Sequence, residues 1–171
     1  MADAAIRTAP VPAEPARFDG VTISLGLPLA RWSLRGRNPQ ELGNALGLPV
    51  PGRIGETAGG MACLGPDEWL LRLPEGSIIP MGEGQPLSVV DISDRAITLI
   101  VEGDRALDVL SSGCPRDLSK LAVGEARRTV YETVEIVLIR EGETRYAVEV
   151  WRSFAPWLHL ALVTAASHLP E

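Results

Sequence analysis

The sequence predicts an α+β domain built on a mostly antiparallel sheet. Three observations carry this expectation. Short β-branched and alternating runs outnumber helical stretches. The helical stretches are separated by hairpins rather than alternating regularly with single strands, which argues against a repeated βαβ plan. One stretch, residues 87–118 (LSVVDISDRAITLIVEGDRALDVLSSGCPRDL), concentrates two apolar strand runs and a helix. The chain has 171 residues, of which 46% are hydrophobic, enough for one domain with a sizeable core.

Taken in order, residues 1–17 hold Pro10, Pro12 and Pro15 among alanines and read as a flexible or extended arm. The single domain is expected over 18–171. Residues 21–25 (VTISL) alternate and 30–36 (ARWSLRG) follow, both as strands. Asn38 as cap, Pro39 at the first position and Glu41 in the first turn start a helix that stops at Gly47. Residues 50–60 (VPGRIGETAGG) form a glycine-rich loop with neither a GK[ST] nor a GxGxxG pattern, so nucleotide binding is not expected there. Residues 61–64 and 68–73 form a hairpin around Gly65, Pro66 and Asp67.

In the central stretch, 87–92 and 96–101 are near-continuous apolar runs that suit strands buried on both faces. Gly103 ends the second, Asp104 is placed to cap a helix, and Gly113 with Pro115 closes the unit. Residues 127–140 are one long strand or two. After the turn at 141–143, residues 144–151 return antiparallel. Ser153 is placed to cap a last helix over 154–167, with Pro156 in its first turn and Trp157, Leu158, Leu160, Ala161 and Val163 as its apolar side.

Composition narrows the function. The formal net charge is -6 and the basic residues are scattered, so a nucleic-acid partner is not expected. No apolar run approaches the ~20 residues that span a bilayer, and the acidic start lacks a secretory apolar region. Two cysteines without a CxxC fit a reducing, cytoplasmic setting. His159 and His168 lack zinc-site spacing, and no metal is expected.

Three polar or aromatic groupings are candidate sites. Asp91, Asp94 and Arg95 offer a carboxylate pair, but Asp91 with Ser93 reads better as a turn closure and Arg95 as an ion-pair partner. Cys114 and His159 are a nucleophile and base by type. Cys114, however, sits in a Gly–Cys–Pro turn, and His159 lies between Leu158 and Leu160 as a core or interface histidine. Trp151, Arg152, Phe154 and Trp157 crowd seven residues, two of the four tryptophans among them. Trp and Arg anchor interfaces, and a core junction or a folate-stacking surface would use the same residue types. No catalytic, cofactor-binding or metal residue is assigned.

Three stretches carry a family resemblance: LGPDEWLL at 64–71, VVDISDRAITLIVEGDRALDVLSSGCPRDL at 89–118, and VEVWRSFAPWLHLAL at 148–162. In this order and spacing they resemble the gamma subunit of heterotetrameric sarcosine oxidase, over roughly residues 20–167. Asp91-Ile92-Ser93, Val101, Gly103-Asp104-Arg105-Ala106, Asp117 and Gly124 also resemble part of the folate-binding aminomethyltransferase fold of the glycine-cleavage T-protein. The resemblance implies about half of that fold or less. It also implies an accessory, non-catalytic chain that docks on a large folate-domain subunit. In the complex so implied, sarcosine, O2 and water give glycine, hydrogen peroxide and formaldehyde, or 5,10-methylenetetrahydrofolate when tetrahydrofolate is present. FAD, FMN and NAD would belong to partner subunits and a zinc to the smallest, with alpha, beta and delta subunits as partners and no cofactor in this chain. A stand-alone tetrahydrofolate-binding or aminomethyl-transferring protein is the alternative, as is the same subunit role in an oxidase of another N-methylated amine.

Overall fold

A computed structural model describes residues 9–80 and 87–169. Among these, two antiparallel sheets pack face to face and helices cover their outer faces. The six-stranded sheet runs β1 (Ala16–Phe18), β2 (Val21–Leu25), β8 (Ala96–Glu102), β11 (Arg145–Trp151), β10 (Val134–Arg140), β9 (Ala126–Tyr131). The five-stranded sheet runs β4 (Thr57–Ala58), β5 (Met61–Gly65), β6 (Glu68–Pro74), β3 (Leu29–Gly36), β7 (Leu87–Asp91). Helices α1 (Pro39–Leu46), α2 (Ala106–Gly113) and α3 (Ala155–Ser167) complete the α+β architecture.

Period-2 alternation places three apolar layers. On the outer face of the larger sheet, Ile23, Leu99, Val101, Ile136, Leu138 and Val148 meet α2 and α3 through Val109, Leu110, Leu158 and Leu162. On the outer face of the smaller sheet, Trp32, Leu34, Met61, Trp69 and Leu71 meet α1 through Leu42 and Leu46. Between the sheets lies a thinner layer of Ala62, Ile100, Ala126, Ile139 and Ala147, three of them alanines. Small side chains here let the two backbones approach.

Local chemistry explains most boundaries. The Asn38 side chain accepts from the Gln40 N–H at 2.8 Å, and Gly47 closes α1 with φ 65°. The 127–140 run resolves into two strands: Tyr131 pairs with Val134, and Glu132 turns the chain with φ 50°. The glycine-rich 50–60 loop is tethered, since the Trp69 indole N–H donates to the Pro51 carbonyl at 2.8 Å and Thr57 pairs with Ala62.

Four expectations need correction. The first apolar run of the central stretch is not buried on both faces, and the two runs lie in different sheets. β7 pairs only with β3, at the edge of the smaller sheet, while β8 sits between β2 and β11 in the larger. Only Val89 of β7 is buried, whereas β8 is buried on both faces. The turn between them therefore crosses from one sheet to the other. Asp104 is not the cap of α2: Arg105 holds that position with no side-chain cap bond, because the Gly103 turn satisfies local amides through backbone, with Ala106 N–H donating to Gly103 O. Ser153 is likewise one residue early, Phe154 being the cap position of α3. The buried stripe of α3 is Ala155, Leu158, Leu162 and Ala166, with Trp157 and Leu160 facing outward. Within the described part of the N-terminal stretch, β1 spans Ala16–Phe18 and Val11 is buried in the larger core. Residues 1–8 of the expected arm lie outside the described residues.

Gly103 is the tightest point of this scaffold. Its φ is 128°, and a Cβ there would lie 2.2 Å from the Gly20 carbonyl oxygen, which itself accepts from Arg105 N–H. Gly103→Ala is expected to cost about 2 kcal/mol or more of unfolding free energy, read by urea denaturation. Alanine at the open Gly52, whose added Cβ meets nothing within 4 Å, is expected to cost far less.

Candidate functional site

Two structures stand out from the scaffold, one buried between the sheets and one exposed at the end of β11. The buried one is a four-residue polar cluster. In the smaller sheet, Arg31 of β3 lies directly opposite Arg72 of β6. In the larger sheet, Thr98 of β8 lies opposite Glu149 of β11. The two pairs face each other across the interface. Arg31 Nε donates to Glu149 Oε2 at 2.7 Å, Arg31 Nη2 donates to Thr98 Oγ1 at 2.7 Å, and Arg72 Nη1 donates to Glu149 Oε1 at 3.2 Å. The Thr98 hydroxyl in turn donates to Glu149 Oε1. Arg31, Thr98 and Glu149 are buried, and Arg72 also reaches Glu141 at 3.4 Å.

Like charges opposite each other on an antiparallel pair repel. Glu149, contributed by the other sheet, offsets that repulsion, so the cluster is complete only when the sheets are docked in this register. Sequence reasoning missed all four residues. Arg31 and Glu149 occupy alternating positions that read as solvent-facing on a half-buried strand, and nothing local signals that a second sheet covers them. The one available signal was Glu149 lying between Val148 and Val150 in a strand otherwise free of acids.

The exposed structure is the corner where β11 ends and α3 begins. Trp151 closes the strand, Phe154 occupies the helix cap position and Trp157 lies one turn on; they are 45%, 46% and 39% exposed. The Trp151 and Phe154 rings lie 6.3 Å apart at 35°. The Arg95 guanidinium sits 3.9 Å from the Trp151 ring centroid, a cation–π contact, and Arg152 N–H donates to the Arg95 carbonyl at 2.8 Å. Leu160, 63% exposed, extends the apolar surface along the helix. Three of the four aromatic-cluster residues named from sequence thus project together. The Arg152 side chain instead lines a cleft beside Arg31.

The other candidates separate. Asp91 accepts from the Ser93 N–H at 2.8 Å and from its hydroxyl at 2.6 Å, a turn closure. Arg95 serves Trp151. Cys114 is buried with its sulfur 3.6 Å from Thr129 Oγ1, and no hydrogen bond joins it to His159 on α3. Burial lowers the His159 pKa from its ordinary value, and burial raises that of the Cys63 thiol. Among the described residues no group of three or more His, Cys, Asp or Glu is placed to hold a metal, and no helix is long and apolar enough to cross a membrane.

Comparison with known proteins places these features in a family. The model of the Sarcosine oxidase, gamma subunit family matches residues 39–168. The chain belongs to this family. The sarcosine oxidase gamma subunit of Arthrobacter sp is 35% identical over 119 residues, covering 63% of this chain and 59% of that one. Those of Corynebacterium sp. strains U-96 and P-1 are each 32% identical, covering 66% and 74% of this chain and 61% and 70% of their own. The match thus spans about three fifths of the Arthrobacter and U-96 relatives. A chain of the heterotetrameric sarcosine oxidase from Corynebacterium sp. U-96 superposes with TM-score 0.80 at 28% identity, over 93% of this chain and 91% of that one. The glycine cleavage system aminomethyltransferase T of Bartonella henselae superposes with TM-score 0.63 at 13% identity, over 84% of this gamma-family chain but 45% of that chain. The gamma fold therefore corresponds to part of the aminomethyltransferase fold.

Two outcomes are expected at the sheet interface. Glu149→Ala leaves two guanidiniums without their shared partner and is expected to cost about 3–5 kcal/mol by chemical denaturation. The second concerns pH. The Arg128 hydrogen bond holds the Glu68 carboxyl below its ordinary value. A depressed carboxylate pKa contributes stability that is present above the unfolded value, about 4.3, and is lost as pH falls through the folded value. The acid limb of the stability profile below about pH 4.3 is expected to flatten in Arg128→Met.

Proposed function

We propose that the chain is the accessory, non-catalytic gamma subunit of a heterotetrameric sarcosine oxidase, docking on the large folate-domain subunit through the Trp151–Phe154–Trp157 corner. The likeness to a chain of the Corynebacterium sp. U-96 enzyme, TM-score 0.80 over nine-tenths of both chains, carries the reading. In this role the chain stabilises an assembly that oxidises sarcosine with O2 and water. The products are glycine, hydrogen peroxide and formaldehyde, or 5,10-methylenetetrahydrofolate when tetrahydrofolate is present. The flavins FAD and FMN and the NAD reside in partner subunits, the partners are the alpha, beta and delta chains, and the assembly is cytoplasmic.

The corner has the make-up of an interface anchor: aromatic rings half in solvent, fixed by a strand end and a helix start, with an arginine stacked on one ring. The Arg95 guanidinium on Trp151 and the Trp151–Phe154 contact position two of its rings, which lowers the ordering cost of docking.

Two experiments test the proposal. Co-expression of the oxidase subunits with and without this chain should give an assembled, sarcosine-oxidising complex only when it is present; normal assembly and turnover without it would sink the role. Trp157→Ala is expected to leave the purified chain folded, with a stability change of about 1 kcal/mol or less. It should reduce recovery of the tagged chain with its partner subunits. Unfolding of the variant would instead assign Trp157 to the core.

A further inference from the structure

Arg95 stands on the 92–95 turn beside the aromatic corner. The turn is closed by Arg95 N–H donating to the Ile92 carbonyl at 2.9 Å. It is pinned to the end of β11 by Arg152 N–H donating to the Arg95 carbonyl at 2.8 Å. Two backbone bonds thus fix where the side chain starts, and the Trp151 ring fixes where it ends, with the guanidinium 3.9 Å from the ring centroid. Among the described residues no carboxylate lies within ion-pair distance of this exposed guanidinium, and no acceptor matches its five N–H donors. The acids nearest in sequence are committed: Asp91 is held by Ser93, and Asp94 is not free. Helix α3, which supplies the rest of the corner, carries no Asp, Glu, Lys or Arg. The surface is therefore apolar with one oriented cation at its edge.

A partner seated on the corner takes the guanidinium out of water together with the ring it contacts. Removing a cation from water is strongly unfavourable unless it is paired and hydrogen-bonded. Water satisfies Arg95 in the free chain, so in the assembly the partner must supply the acceptor. A carboxylate matches the guanidinium fork with two bonds at once. An arginine already held on an indole loses less side-chain freedom on forming that pair.

We propose, resting on the docking role given above to this corner, that the partner subunit places an Asp or Glu side chain against the Arg95 guanidinium. That pair sits at the edge of an otherwise apolar contact with Trp151, Phe154, Trp157 and Leu160. The tagged full chain is co-expressed with the other oxidase subunits, and co-recovery of the large subunit is measured. Arg95→Gln is expected to lower recovery by about tenfold or more while the free chain keeps its circular dichroism spectrum. In Arg95→Lys the cation is kept, and the assembled complex is treated with a carbodiimide, which joins an amine to a touching carboxylate as an amide. A cross-link from position 95 to an Asp or Glu of a partner subunit, located by peptide mass spectrometry, is the expected result. Undiminished recovery with Arg95→Gln, where Trp157→Ala lowers it, overturns the carboxylate pairing and leaves the corner as the docking site. Undiminished recovery with both variants overturns the docking site itself. Lowered recovery with Arg95→Gln but no cross-link from position 95 to a partner acid also overturns the pairing, since Arg95 then acts only by holding Trp151.

Discussion

The shared carboxylate of Glu149 is the contact on which the arrangement of the two sheets depends. Each sheet alone carries a fault. The smaller holds Arg31 directly opposite Arg72, and the larger holds the buried Glu149 beside the inter-sheet layer of Ile100, Ala126, Ile139 and Ala147. Docked, the two faults cancel, with Thr98 supplying a further hydrogen bond. A buried ion cluster of this kind adds little net stability over well-packed apolar residues, since desolvation offsets most of the Coulomb attraction. Its effect is geometric. The alanine-rich layer of Ala62, Ala126 and Ala147 has little shape to define a register, and the charges define it instead.

That register places the remaining features. With β11 fixed against β3 and β6, its end brings Trp151 to the surface beside Arg95, and α3 must start within a few residues to cover Ile23 and Val148. Covering that core uses Ala155, Leu158, Leu162 and Ala166, which turns Trp157 and Leu160 outward. The exposed aromatic corner is thus a consequence of how the helix satisfies the core. The same docking leaves the cleft at Arg31 where the sheets part. The fold that presents this corner superposes on 45% of the aminomethyltransferase T chain.

Elements governed by local chemistry were legible in the sequence. Asn38, Pro39 and Gly47 fix α1 to the residue, and Gly65–Pro66–Asp67 fixes the β5–β6 hairpin, because caps and turns depend on neighbours in the chain. What depended on the second sheet was not legible. The alternation of Arg31 with Trp32 is that of an ordinary half-exposed strand, so the buried cluster had no local signature. The 87–92 run looked doubly buried by composition, yet β7 is an edge strand. The apolar side of α3 was misassigned because the helix is apolar on most of its surface, leaving periodicity little to act on. The aromatic crowding at 151–157 was visible, and its outward direction was not.

Hydroxyl-radical footprinting of Trp151, Phe154 and Trp157, in the free chain and in the assembled oxidase, tests the central claim most directly. The account predicts strong labelling of all three in the free chain and protection in the assembly, with the buried Trp32 and Trp69 unlabelled in both. Equal labelling of the corner in the free and assembled states would contradict it.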